Sequence, residues 1–157
     1  MKSKLIYRFE EYGLYYEPEI DYGTKDVITL SIDTLQIDFD QLSGNILSLY
    51  GFLPLVKARK INIKMPLCIE GQFSIPLQSF RKKAGIVYDY FCFFPESRVY
   101  FIKAGFPILS YDKKGKRILI GTWETNDRCI KVNDNITCGI DKKNNLKFIM
   151  VSPDIII

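Results

Sequence analysis

Leu35-Gln36-Ile37-Asp38-Phe39-Asp40, then Gln41-Leu42-Ser43-Gly44-Asn45, then Ile46-Leu47-Ser48-Leu49-Tyr50 is the stretch whose reading decides the fold. Leu35, Ile37 and Phe39 fall on one face and Gln36, Asp38 and Asp40 on the other, the two-residue period of a half-buried strand. A helix starting near Asp40 is the competing reading, but Gly44 and Gly51 would each cost it about 1 kcal/mol. Ser43-Gly44-Asn45 is good turn chemistry. The stretch predicts a β-hairpin.

The same grammar recurs downstream. Pro107–Tyr111 and Lys116–Thr122 flank Asp112-Lys113-Lys114-Gly115, and Ile136–Ile140 and Leu146–Val151 flank Asp141-Lys142-Lys143-Asn144-Asn145. Thr125-Asn126-Asp127 and Asn133-Asp134-Asn135 add two more candidate turns. Turn signals every ~8–12 residues predict an antiparallel, all-β domain of about ten strands, folded as a sandwich or open barrel. Tyr111-Asp112-Lys113-Lys114 resembles Ile140-Asp141-Lys142-Lys143, and Phe39-Asp40 echoes both. An Asp that accepts the N–H groups of its own turn explains this likeness without an internal repeat.

Three further expectations concern the remaining segments. Ile86–Phe94 and Arg98–Ala104, joined by Pro95-Glu96-Ser97, are dense in aromatic and β-branched residues and read as the central strand pair. Pro76 to Gly85 reads as the one short helix, with Pro near its start, Arg81-Lys82-Lys83 in its last turn, and Leu77 and Phe80 packed inward. The tail Ile155-Ile156-Ile157 would be a sticky edge if exposed, so it is expected to tuck against the sheet, with a dimer contact as the alternative.

A length of 157 residues suits one domain spanning 1–157, and no linker-like stretch divides it. With 47% hydrophobic and 25% charged residues the composition is globular, and 14% aromatics favour strands. A domain of this size buries roughly 70% of its unfolded surface and needs neither a disulfide nor a metal to fold. Cys68, Cys92, Cys129 and Cys138 form no C-x-x-C pair, and there is no histidine. Paired zinc ligands, a histidine base and a Ser-His-Asp arrangement are thereby excluded. All four cysteines read as reduced thiols, Cys92 as a small core hydrophobe. The Met1–Glu11 segment lacks the apolar run of a signal peptide, and no stretch approaches the ~20 residues of a membrane-spanning helix. The expected compartment is the cytoplasm.

No glycine-rich phosphate loop occurs, and most carboxylates lie beside turns or on polar strand faces. The chain is therefore read as a non-enzyme that uses no cofactor. Its net charge of +4 conceals a division: residues 1–40 hold four basic and nine acidic residues, and residues 41–157 hold eighteen basic and nine acidic. Between Tyr7 and Tyr22 lie five of the ten tyrosines and five carboxylates. Tyrosine anchors interfaces at low entropic cost, and surrounding carboxylates steer a basic partner. The candidate partner-binding residues are Tyr12, Tyr15, Tyr16, Glu17, Glu19, Asp21 and Tyr22. The competing structural reading is an amphipathic edge strand whose rings cover the sheet. Lys113, Lys114, Lys116 and Arg117 form an alternative basic surface for phosphate backbones, although no aromatics interleave with them for base stacking.

The function expected from these residues is binding of one protein partner, in particular as a bacterial immunity protein that neutralises a basic toxin domain. The alternatives are a nucleic-acid-binding β domain and a small-molecule-binding β-barrel.

Overall fold

The computed structural model describes residues 2–64, 67–81, 85–124 and 127–157. Its strands are β1 (Lys4–Arg8), β2 (Gly13–Glu17), β3 (Val27–Ile32), β4 (Leu35–Asp40), β5 (Ile46–Phe52), β6 (Arg59–Lys60), β7 (Ile69–Glu70) and β8 (Tyr88–Asp89). After them come β9 (Ile102–Lys103), β10 (Phe106–Pro107), β11 (Leu109–Asp112), β12 (Arg117–Gly121), β13 (Arg128–Lys131), β14 (Ile136–Ile140), β15 (Leu146–Val151) and β16 (Ile155–Ile156). The first sheet has the order β16-β1-β2-β5-β4-β3-β8 and the second β6-β11-β12-β15-β14-β13-β7; β9 and β10 form a separate hairpin. The inner faces of the two sheets share one core, from Leu5, Tyr7, Leu30, Ile37 and Phe39 on one side to Ile118, Ile136, Cys138, Ile149 and Val151 on the other. The fold is an all-β sandwich.

The deciding hairpin forms as its alternation predicts. Ile37 lies opposite Leu49 and Asp38 opposite Ser48, with a bulge between Asp38 and Phe39. The hairpins at 109–121 and 136–151 form as well, and Asn133 Oδ1 closes its turn by accepting the N–H groups of Asn135 and Ile136 at 2.8 and 2.9 Å. The turn at Thr125-Asn126-Asp127 includes residues outside the described set. The isoleucine tail is tucked in: β16 runs parallel to β1, with Ile155 beside Ile6 and Ile156 beside Tyr7.

Both sheets follow one plan, which the side chains do not announce. In the first sheet, Tyr7 opposes Leu14, Leu14 opposes Gly51, Gly51 opposes Leu35, and Leu35 opposes Ile32. The second sheet repeats this register as Tyr111, Ile118, Val151 and Ile136. The bulge recurs at the matching place, between Gly139 and Ile140. Each half also completes the other's sheet. β6, following β5, lies parallel to β11 with Lys60 beside Tyr111, just as β16, following β15, places Ile156 beside Tyr7. At the far edges β7 and β8 run parallel to β13 and β3 in matching register. The two sheets thus repeat one strand order and register with exchanged edge strands, so the likeness of Phe39-Asp40 to Ile140-Asp141 is positional equivalence and the reading without an internal repeat is corrected. Asp40 and Asp141 each accept the N–H two residues on, at 3.1 and 2.8 Å, and the turns then pass through positive φ at Gly44 (74°) and Asn144 (65°). Gly44 has a second reason: a Cβ there would stand 1.9 Å from the Ile75 carbonyl oxygen.

Four further expectations are corrected. Residues 86–104 are not the central strand pair. Beyond the short β8, Tyr90–Phe93 and Arg98–Phe101 are single helical turns linked by a 3-10 turn at Pro95–Ser97. Asp89 caps the first turn, its carboxylate accepting the Phe91 N–H at 2.9 Å, and Pro95 starts the linking 3-10 turn with its fixed φ. Tyr90, Phe94, Ser97 and Phe101 recur at helical spacing and turn inward, a period that aromatic density masks. The expected helix at 76–85 is absent from its described part, Pro76 to Arg81, where an irregular segment nevertheless buries Leu77. Residues 82–84 lie outside the described set.

The tyrosine-rich N-terminal segment is not an edge strand, since β2 is paired on both sides, by β1 and β5. The cysteines are not all reduced: Cys68 and Cys129 form a disulfide, Cys138 is a buried thiol and Cys92 is an exposed one, not a core residue. Ile69 pairs with Ile130, which sets the preceding residues side by side with their Cα atoms 4.6 Å apart. No helix among the described residues is long and apolar enough to cross a membrane.

Candidate functional site

The outer faces of the two equivalent sheets differ in chemistry. On the second sheet, Leu119, Cys129, Phe148 and Met150 point outward and are covered by Ile61, Ile63 and Cys68 from the segment joining β6 to β7, with Trp123 beside them. That strap runs from one edge of the sheet to the other and is fastened by the disulfide. The register equivalents on the first sheet are Tyr15, Thr29, Ser48 and Tyr50. Where the second sheet sets Gly139 opposite Phe148, the first sets Asp38 opposite Ser48. The Phe148 ring fills the space over Gly139, where an added Cβ would stand 1.9 Å from it. The small Ser48 leaves the same space to a carboxylate.

Asp38 is 5% exposed and is surrounded by hydroxyl groups. Its Oδ1 accepts from Thr29 Oγ1 at 2.6 Å and from Tyr50 Oη at 3.2 Å; its Oδ2 accepts from Tyr22 Oη at 2.6 Å and from Ser48 Oγ at 3.5 Å. Tyr22 and Ser48 also touch each other. No Lys or Arg among the described residues forms an ion pair with Asp38. Hydroxyl donors, not a cation, hold this buried carboxylate.

The carboxylate lies in the wall of an open cavity of about 410 Å³ lined by Tyr15, Tyr16, Glu19, Ile20, Tyr22, Asp38 and Tyr50. β2 supplies Tyr15 and Tyr16, the loop after it supplies Glu19, Ile20 and Tyr22, and β4 and β5 supply Asp38 and Tyr50. Arg8 fixes the Tyr15 hydroxyl by donating from Nε and Nη2 at 3.3 and 3.2 Å. Tyr16 accepts the Leu49 N–H, and burial pushes its phenol up to about 12. Burial first, then the bond to Asp38, holds the Tyr22 phenol far above its ordinary value. Burial and then the Asp38 charge raise Tyr50. These phenols stay protonated throughout the physiological range, and those of Tyr22 and Tyr50 donate to Asp38. The site is an acceptor lined by aromatic faces, suited to a cationic group through charge and cation–π contact.

Of the seven residues singled out from sequence, Tyr15, Tyr16, Glu19 and Tyr22 meet in this cavity. Tyr12 ends a 3-10 turn at positive φ and packs edge-on against Phe52, Glu17 is exposed at the end of β2, and Asp21 accepts the Gly23 N–H within its own loop. Sequence reasoning missed Asp38 and Tyr50. The signal was a lone Asp in the middle of a strand with Ser48 across the hairpin, but alternation reads such a residue as solvated.

The basic alternative is dispersed. Lys113 and Lys114 stand at an open groove of about 940 Å³ with Phe9, Val56, Ile61 and Tyr111. Arg117 instead donates to the Ile63 carbonyl at 3.4 Å, and Lys116 sits at positive φ in the turn.

Fold and cavity together define a duplicated β-sandwich with a strapped apolar face on one sheet and an open hydroxyl-and-carboxylate face on the other. No protein-family model and no curated protein matches the chain.

Proposed function

We propose that this chain is a non-enzymatic protein-binding domain whose recognition surface is the cavity around Asp38, and that its partner inserts a cationic side chain there. The observation that carries this reading is the buried Asp38 carboxylate, held among the described residues by hydroxyl groups, in the wall of an open, tyrosine-lined cavity. The acidic balance of residues 1–40 adds long-range steering toward a basic partner. The particular form we favour is a bacterial immunity protein that occludes the basic cleft of a toxin domain.

The Cys68–Cys129 bridge bears on the compartment. A cytoplasmic placement rests on free thiols, whereas the disulfide supports a non-reducing location. Thiol alkylation of the protein as it accumulates in cells decides between them.

Titration with n-butylguanidinium, followed by NMR of the tyrosine rings, tests the cavity. Shifts centred on Tyr22 and Tyr50 are expected, with loss of response in a Tyr15→Ala, Glu19→Gln variant that remains cooperatively folded. Co-purification with the product of an adjacent toxin-like reading frame tests the immunity role. A folded variant that still captures that product in full would remove this surface from the proposal.

A further inference from the structure

From the duplication we infer that the partner presents an extended segment that crosses the outer face of the first sheet along the path taken by the chain's own strap on the second, with an arginine or lysine at the place of Ile63. The inference rests on the proposed cationic site and names the kind of ligand that fills it.

The argument is one of register. Ile63 belongs to one buried cluster with Leu119, Cys129, Phe148 and Met150. The equivalents of those four residues are Tyr15, Thr29, Ser48 and Tyr50, and the equivalent of Gly139, beneath them, is Asp38. An apolar residue suits the first set. A side chain in the same place over the second set meets hydroxyl groups and ring faces, with the buried Asp38 charge behind Tyr22 and Tyr50, an environment that a guanidinium or ammonium group complements.

The entry corner is equivalent too. The strap starts where the Ile61 N–H donates to the Tyr111 carbonyl at 3.1 Å, and on the first sheet the Ile157 N–H donates to the Tyr7 carbonyl at 2.9 Å. Trp123, from the β12–β13 connection, flanks the strap. Tyr22, from the matching β2–β3 connection, flanks the cavity. Among the described residues nothing takes the strap's path across this second face, where the floor is built and the flank is in position. A short segment fits, because on the other sheet the chain leaves one edge at Lys60 and joins the opposite edge at Ile69.

The test uses the full chain and three probes: N-acetyl-argininamide, the blocked peptide Ser-Thr-Ser-Thr-Arg-Thr-Ser-Thr-Ser, and the same peptide with citrulline in place of Arg. Citrulline keeps the shape of Arg and removes its charge. Tyrosine-ring NMR and fluorescence anisotropy report binding. The Arg peptide is expected to bind at least tenfold tighter than N-acetyl-argininamide and at least tenfold tighter than the citrulline peptide. Asp38→Asn should abolish the second preference. If Asp38→Asn does not fold, the wall variant Tyr15→Ala, Glu19→Gln, which leaves the hydroxyl network intact, should reduce it at least tenfold. An Arg peptide no tighter than N-acetyl-argininamide overturns the extended-segment inference while leaving the cationic site standing. Absence of binding by both arginine probes overturns both.

Discussion

Asp38 opposite Ser48 and Gly139 opposite Phe148 occupy the same place in two sheets of the same register, and the outcomes are opposite. Where Phe148 lies over Gly139 the outer face is apolar, and the chain spends a strap and a disulfide to cover it. Where Ser48 faces Asp38, four hydroxyl groups gather around a carboxylate and the face stays open. The cross-strand pair lies at the centre of that difference, with Tyr15, Thr29 and Tyr50 standing where the second sheet has Leu119, Cys129 and Met150. Backbone plan and surface chemistry are thus separable: the plan is copied, and the outward-facing residues are free to diverge.

The largest expected effect lies at that pair. Phe148→Ala should lower stability by about 3–5 kcal/mol, as for other fully buried aromatic residues. Ser48→Ala, at the equivalent place, should cost only about 1 kcal/mol for its hydrogen bond. Urea unfolding measures both, and equal losses would show that the two outer faces are energetically alike after all. Next in size is the strap. Replacing Cys68 and Cys129 with Ser opens a loop with a sequence separation of 61 and should cost about 2–4 kcal/mol. Guanidinium binding at Tyr22 and Tyr50 should be unchanged in that variant, and a parallel loss of binding would mean that the two faces are coupled.

Asp38→Asn probes the open face. An amide brings two donors among hydroxyl donors, so a loss of about 1–3 kcal/mol is expected, together with loss of cation binding. Undiminished binding by the folded Asn variant would separate Asp38 from the site.

The smallest effect is a difference in pH response. In the first half, Tyr7, Tyr16, Tyr22 and Tyr50 all have phenols raised above 10, burial being the largest cause in each. A phenol kept neutral by the fold contributes stability that is intact below pH 10 and lost as pH rises through its folded value. In the second half, Asp112 is lowered, chiefly by the N–H groups of Gly115 and Ile63. Desolvation opposes the lowering of Asp141 but is outweighed by bonds from Asn145, Tyr100 and Lys143. Those contributions are present above pH 3.8 and fade as pH falls through the folded values. Tyr100 and Tyr111 in the second half are raised as well, so alkaline exposure should loosen both sheets, whereas acid should loosen the second before the first. Hydrogen exchange at low pH would show the order; the opposite order would contradict the assignment.

Part of this comparison is legible in the residues. Leu35, Ile37 and Phe39 announce a strand, and Ile136–Ile140 with Leu146–Val151 announce a hairpin, because side-chain alternation is local. Of the five cavity residues in the Tyr7–Tyr22 segment, four are legible because tyrosines and carboxylates cluster there visibly. Asp38 does not stand out, because its burial depends on Tyr22 and Tyr50 reaching it from other parts of the chain. The helical turns at 90–101 were hidden behind aromatic composition, and the Cys68–Cys129 bridge depends on β7 meeting β13.

By itself the sequence determined strand alternation, turn positions and an acidic, tyrosine-rich first segment, all of which reside in neighbouring residues. Only the tertiary structure decided that the halves are copies, that each supplies an edge strand to the other, and that one face is strapped while the other is left open. Register is a relation between distant strands, and equivalent positions need share no more than an inward or outward direction. Among the matched strand positions Tyr7 and Tyr111 are both tyrosines, yet Asp38 and Gly139 have nothing in common until the backbone sets them in the same place.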